Sequence, residues 1–273
     1  MSLFSIMNEP MIQKEKAGII YFEFAGLGKQ DWISHAFTAR QGGVSSRPFD
    51  TLNTGWVGGD SYENFMENRE RVRNALGMFP DELINLEHGK KIIRIGGKGG
   101  IPVDKMGGQV ADGLVTDLPG VPLCITFADC LPIYIVDPVN HAVGLIHAGW
   151  RGILQNIQGE SIRVMCKYFG SKPEDLLVGI GPGIQGCCFY VREPQAELFK
   201  RAFPQMQDLM VKADNIWYID LFGICLRTLT GEGVRQENLE VTKLCTSCRE
   251  DLFFSYRRDK MTGRMAALIS IKG

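Results

Sequence analysis

The sequence is short of histidine, with four in 273 residues, and has no excess charge of either sign, 30 Lys plus Arg standing against 31 Asp plus Glu. Near-cancelling charge offers no overall positive field to draw in a nucleic-acid backbone or an anionic membrane, so neither is expected as a partner. No run of eighteen apolar residues occurs, which argues against a helical membrane span. The opening "MSLFSIMNEPMIQKEK" lacks a basic start leading into a sustained apolar core and a small-residue cleavage site, so the chain is expected in the cytoplasm. Eight cysteines in a chain this long do not make the dense framework of a small secreted domain, and most are expected to be buried thiols. Repeats, low-complexity tracts and linkers are lacking as well. With 45% hydrophobic residues the chain can bury a sizeable core, and a single domain over 17–273 behind a loose tail at 1–16 is expected.

What is present reads as α+β. "AGIIYFEF" (17–24) and "WISHAFTA" (32–39) have strand character, and the turn-rich "RQGGVSSRPFDTLNTG" follows. "DSYENFMENRERVRNAL" (60–76) has an acidic cap and apolar Phe65, Val72 and Leu76 near helical spacing, with Gly77 as its stop. Three apolar runs, "VPLCITF" (121–127), "PIYIVD" (132–137) and "HAVGLIH" (141–147), have connections too short for a parallel crossover, which predicts an antiparallel meander. One helix is expected over 151–169, ended by Gly170. The remainder alternates: a strand in "EDLLVGI", a helix near 193–202, a strand at 215–219, a helix near 220–230, and strands at 239–243 and 264–271. Both faces of the central hairpin are apolar, which calls for covering layers on each side and a helix/sheet/sheet/helix arrangement of mixed, largely antiparallel sheets.

The hairpin turn "DPVN" (137–140) carries a sharper expectation. A symmetric loop sets Val136 against His141, Tyr134 against Val143, and Cys130 against His147. Directly opposite residues hold their Cβ atoms roughly 4.5–5.5 Å apart, which suits a thiolate and an imidazole converging on a metal ion. It suits equally a cysteine activated by a histidine, and Pro132, which has no N–H, can disturb the ladder beside Cys130. His88, on the glycine-flanked corner "NLEHGKK", is a candidate third ligand. Two nitrogens and one sulfur suit zinc with a fourth position open, or copper; buried structural Cys and His are the plainer alternative.

With these motifs assembled, the sequence resembles the bacterial laccase-domain family, described as multicopper polyphenol oxidases and as purine nucleoside phosphorylases. The stretches that carry the resemblance are "TARQGGVSS", "LNTGWVGGD", "ENRERV", "ADGLVT", "ADCLPIYIVDP", "HAGWRG", "GPGIQGCC" and "FFSYRRDKMTGRMA", over about residues 38 to 270. The resemblance implies zinc on His88, Cys130 and His147. It also implies a fold similar to that of a bacterial toxin domain with a Cys/His pair. Two departures stand out: the family's Gln-Val-His-Gly reads Leu86-Glu87-His88-Gly89, and its Cys-Tyr-Glu-Val reads Cys188-Phe189-Tyr190-Val191.

Four histidines cannot build a conventional laccase, since blue copper alone uses two and a trinuclear cluster several more. The resemblance therefore implies a zinc-dependent phosphorylase taking a purine nucleoside and phosphate, with adenosine deamination as a further activity. Phosphate needs donors that neutralise its charge: Arg151 at the start of the helix after His147 is one candidate, and Arg40 beside Gly42 and Gly43 another, each of which can equally be a surface arginine paired with a carboxylate. Asp129, Glu87 and the Cys130 thiolate are the candidate proton carriers, and Asp129 can instead be a turn residue. Three alternatives stand beside this reading: a Cys130/His147 hydrolase acting on an amide, a copper-dependent polyphenol oxidase, and a metal-stabilised domain without catalysis. The sequence carries no signal of an oligomeric state.

Three further motifs are weaker. "GPGIQG" (181–186) has dinucleotide-loop spacing, but the β-like "CFYV" after it does not open a helix. Cys245 and Cys248 can join Cys187 and Cys188 in a structural zinc site or act as a redox pair, though a second C-x-x-C is lacking. "RIGGKGGI" lacks the Lys-Ser/Thr ending of a phosphate loop and reads as a flexible turn.

Overall fold

The fold is that of a computed structural model, which describes residues 11–56 and 58–273. In chain order the strands are β1 (Ile12–Lys16), β2 (Ile19–Glu23), β3 (Ile33–Thr38), β4 (Ile92–Arg94), β5 (Gly113–Thr116), β6 (Leu123–Phe127) and β7 (Leu131–Asp137), then β8 (Ala142–Ala148), β9 (Leu177–Ile180), β10 (Tyr190–Val191), β11 (Met210–Ala213), β12 (Ile216–Ile219), β13 (Leu239–Val241) and β14 (Met265–Ile271). The helices are α1 (Tyr62–Leu76), α2 (Trp150–Leu154), α3 (Ile157–Phe169), α4 (Glu193–Ala202), α5 (Leu221–Gly231) and α6 (Tyr256–Asp259).

Two large sheets stack face to face. The outer sheet runs β1-β2-β3-β14-β6 and the central one β13-β9-β7-β8-β5-β4, with a small β10-β12-β11 ribbon beside them. Period-two alternation sorts the side chains into three layers. Along β14, Met265, Ala267 and Ile269 enter the core between the sheets, while Ala266 and Leu268 meet Val72 and Ala75 of α1 on the outer side. Along β7, Tyr134 and Val136 face the outer sheet, while Ile133 and Ile135 face α3 and α5. The helix/sheet/sheet/helix layering expected from the doubly apolar hairpin is what forms, with β7 and β8 buried along their whole length.

Local chemistry explains the element ends. Ser61 caps α1, accepting the Asn64 N–H, and Gly77 closes it in the left-handed region at φ 71°. The acidic residue expected there, Asp60, instead accepts from Ser45 and Asn53 in the preceding loop. Val72 is buried against the outer sheet and Phe65 among Trp56, Tyr62 and the Arg69 guanidinium, and each burial stabilises the helix by about 1.5–3 kcal/mol.

Four sequence expectations change. The loose tail expected at 1–16 does not include Ile12–Lys16, which forms β1 and pairs antiparallel with β2; residues 1–10 of that expectation lie outside the described residues. The three-strand meander does not form. β6 pairs with β14 in the outer sheet, whereas β7 pairs with β8 and β9 in the central one, and Ala128–Cys130 carry the chain across, Asp129 taking φ 91°. The helix expected over 151–169 is broken by Asn156, left-handed at φ 63°, whose side chain caps α3 by accepting from Gly159 N–H.

The hairpin register also shifts. The Asp137 carboxylate accepts the N–H groups of Val139 and Asn140, both at 2.9 Å, and His141 turns left-handed at φ 50°, so the loop takes in His141 and the ladder pairs Asp137 with Ala142. His147 consequently faces Pro132, not Cys130. A two-residue slip preserves faces, since side chains alternate with period two, so Cys130 becomes a diagonal neighbour of His147 at the same end of the hairpin.

Candidate metal centre

Three chain segments meet where the central sheet opens at the C-terminal end of β8. His147 is the penultimate residue of that strand and is buried; half-buried Cys130 lies on the sheet-to-sheet crossing; exposed His88 sits on the turn before β4 with φ 60°. Their ligand atoms all lie within 4.8 Å of one another. The rings of His88 and His147 meet edge to face with centroids 4.9 Å apart.

A residue that sequence reasoning passed over organises this cluster. Asp112, fully buried just before β5, accepts from His147 Nδ1 at 2.9 Å, from the His88 N–H at 2.9 Å and from the Gly89 N–H at 2.7 Å. The His147 N–H in turn donates to the Asp112 carbonyl at 2.7 Å. One carboxylate therefore fixes the tautomer of one imidazole, leaving Nε2 for a metal or a proton, and the backbone of the other. The signal for it lay within "ADGLVT", as a carboxylate immediately before an apolar strand.

Glycine supplies the close approach. A Cβ on Gly149 would lie 3.1 Å from Cys130 Sγ, 3.2 Å from His88 Cδ2 and 3.5 Å from His147 Cε1. On Gly152 it would lie 2.6 Å from the Gly89 carbonyl, so the spacing of glycines in "HAGWRG" lets α2 settle against the His88 turn. Burial alone would raise the Cys130 thiol, but the His147 charge and hydrogen bonds from His147 and His88 bring it down to about 6. Burial would likewise lower His147, yet Cys130 and Asp112 raise it to about 9. The site thus favours a thiolate, the form that binds metal or attacks an electrophile.

Beside the cluster opens a cleft of about 630 Å³ lined by His88, Glu87, Lys90, Lys91, Arg151 and Gln155 among others. Arg151 is exposed there and lies over the Trp150 ring at 4.4 Å. Trp150 itself is half-buried and packs toward Phe199, outside the lining of this cleft. Arg40 lines a different cleft, with Arg47, Asp50 and Arg258. Its guanidinium donates to the Asp50 carbonyl at 2.9 Å and the Glu250 carbonyl at 3.1 Å and covers Phe254 at 4.6 Å, so the two arginines paired by the phosphate expectation do not meet in one cleft. Asp129 is buried, its carboxylate accepting from Thr246 Oγ1 at 2.7 Å and from the Arg257 N–H at 2.6 Å.

The other histidines are spent elsewhere. His35 Nε2 accepts the Phe24 N–H at 2.9 Å inside the core, and His141 packs on Trp32 at the far end of the hairpin. Among the described residues no helix is long and apolar enough to cross a membrane.

The profile of the family described as "Multi-copper polyphenol oxidoreductase laccase" matches residues 34–272. The chain belongs to this family. Among similar proteins, purine nucleoside phosphorylase YlmD of Bacillus subtilis is 33% identical over 261 residues, covering 89% of this chain and 93% of that one. Purine nucleoside phosphorylase YfiH of Escherichia coli is 32% identical over 239 residues, covering 87% and 93%. Among solved structures, YlmD of Geobacillus stearothermophilus superposes with a TM-score of 0.86 at 32% identity, covering 97% of this chain and all of that one. A hypothetical protein YfiH of Bacillus licheniformis gives 0.84 at 30%, covering 95% and 99%.

Proposed function

We propose that the chain is a zinc-dependent purine nucleoside phosphorylase, converting inosine or adenosine and phosphate to free base and ribose 1-phosphate. The observation that carries this reading is the convergence of His88, Cys130 and His147 around one point, oriented by Asp112, beside a cleft that His88 shares with Lys90, Lys91 and Arg151 and with the carboxylates of Glu87 and Glu160. The donor set fits zinc: one thiolate, two imidazoles, one of them held by a buried carboxylate, and a glycine where any Cβ would crowd the ligands. Bound there, zinc would supply Lewis-acid polarisation through a fourth position. In this reading Arg151 holds phosphate in the cleft with Lys90 and Lys91 beside it, which offsets the charge of the attacking anion. Glu87 is the carboxylate next to His88 on the same wall, placed to exchange a proton with the purine, and it would serve adenosine deamination at the same position. Asp129 positions Cys130 through its contacts to Thr246 and Arg257.

A second reading rests on the same geometry. Asp112, His147 and Cys130 have the order of an orienting carboxylate, a base and a thiol, which is the arrangement of a cysteine hydrolase acting on an amide. The two separate on metal dependence. Purified protein incubated with inosine or adenosine and phosphate is expected to release base, to lose that activity on chelation and recover it with zinc. Release no faster than from His147→Ala would overturn the phosphorylase reading, and amide cleavage that survives chelation but not Cys130→Ala would establish the hydrolase.

A further inference from the structure

A second sulfur cluster lies outside the centre just described. The turn after β9 carries Cys187 and Cys188, and the turn after β13 carries Cys245 and Cys248. β9 and β13 are parallel neighbours, and the bridge between Gly183 and Cys245 extends the pairing beyond them, with the Thr246 N–H donating to the Gly183 carbonyl. Both turns therefore leave the same end of adjacent strands. All four sulfurs lie within 4.8 Å of one another: Cys188 to Cys248 is 3.3 Å, Cys187 to Cys248 3.6 Å and Cys187 to Cys188 3.7 Å.

We infer that Cys187, Cys188, Cys245 and Cys248 bind one zinc ion as a closed, structural four-thiolate site. A tetrahedral site with Zn–S bonds of about 2.3 Å has sulfur–sulfur edges of about 3.8 Å, and the three sulfurs with resolved separations already stand near that spacing. A disulfide needs about 2.05 Å and joins two sulfurs only, which leaves the fourfold convergence without a cause. The Gln185 N–H points at Cys245 Sγ at 3.5 Å, and the backbone N–H groups of Ser247 and Cys248 are directed at the same atom, so the first cysteine of Cys-Thr-Ser-Cys is set as an acceptor of peptide hydrogen bonds. Lys243 and Arg249 line the hollow beside the cluster and offset the negative charge that four thiolates leave around a dication. Binding releases the thiol protons to solvent and changes no oxidation state. The second C-x-x-C lacking in the sequence is replaced by a vicinal pair that the parallel strands bring alongside.

The site braces the first centre without touching it. Thr246, between the two cysteines of the knuckle, donates to Asp129, the neighbour of Cys130. Arg257 donates its N–H to Asp129 and its guanidinium to the carbonyls of Cys188 and Tyr190, at 3.1 and 2.9 Å.

The test uses the full chain purified under reducing conditions with zinc. His88→Ala/Cys130→Ser, which silences the first centre, is expected to retain about one zinc per chain and, reloaded with cobalt(II), to show thiolate-to-cobalt charge-transfer bands. Adding Cys245→Ser/Cys248→Ser should abolish both. Independently of any variant, iodoacetamide mapping of the native protein by mass spectrometry should find the exposed Cys187 and Cys248 shielded until a chelator is added. A metal-free silenced variant without cobalt bands, alkylation of Cys187 and Cys248 at the same rate with and without chelator, or an intact mass showing a disulfide among the four would overturn the assignment.

Discussion

Asp112 Oδ1 lies 2.9 Å from His147 Nδ1, and the same carboxylate receives the N–H groups of His88 and Gly89. A single buried acid thus holds two of the three ligands, one through its ring and one through its backbone. In Asp112→Asn the amide offers one acceptor and one donor where three donors converge, so one contact becomes N–H against N–H. Outer-shell substitutions of this kind lower metal affinity by roughly 10–100-fold, and Asp112→Asn is expected to fall in that range. Zinc competition against a chromophoric chelator measures it; an unchanged affinity would remove Asp112 from the account.

Gly149 separates the centre from the fold. Its φ of −74° is ordinary for alanine, so Gly149→Ala adds no backbone strain, but the new Cβ meets all three ligands at 3.1–3.5 Å. The chain should fold with a metal-free Tm close to that of the parent, while zinc binding weakens by about tenfold, near 1.4 kcal/mol. A large fall in the metal-free Tm with zinc affinity intact would show that the glycine serves packing instead.

Arg151 and Arg40 are both phosphate candidates in the sequence, and they differ in surroundings. Losing a charge-assisted hydrogen bond to phosphate costs about 1.5–3 kcal/mol, so Arg151→Ala should raise the KM for phosphate by roughly tenfold or more at saturating inosine. Arg40→Ala should leave that KM within about twofold and lower Tm instead, because its donors hold the Asp50 and Glu250 carbonyls. Steady-state kinetics with thermal melts on both variants decides it; the reverse pattern would move the phosphate site to the other cleft.

The layered architecture was legible in the sequence because β7 and β8 are apolar on both faces, which no solvent-facing hairpin tolerates. Cys130 and His147 came together despite a wrong register, since the error was two residues and side-chain faces repeat every two. The meander failed for a different reason: a short connection can pass between sheets as well as within one, and what diverts the chain, Asp129 at φ 91° held by Thr246 and Arg257 from over a hundred residues away, leaves no local pattern. Asp112 was missed because its three donors come from two other segments, so its own neighbours say only that it precedes a strand.

His35 is a histidine the centre does not use, and it sets an acid limit on stability. Its ring is buried beside Phe24 and Tyr134, Nε2 accepts a backbone N–H, and burial, with a smaller contribution from Lys14, lowers it from the ordinary 6.5 to about 4. Between those values the unfolded chain holds a proton that the folded chain refuses, so stability is intact above about 6.5 and falls as pH drops through the window. A gap of about 2.5 pH units at 1.36 kcal/mol each sets the loss near 3 kcal/mol at its fullest. His35→Gln keeps an acceptor for Phe24 but has no proton to take up, so its denaturation midpoint, although lower at neutral pH from lost ring packing, should decline less steeply between pH 6.5 and 4. Urea melts of both proteins across that range compare the slopes, and parallel slopes would assign the acid sensitivity to the carboxylates instead.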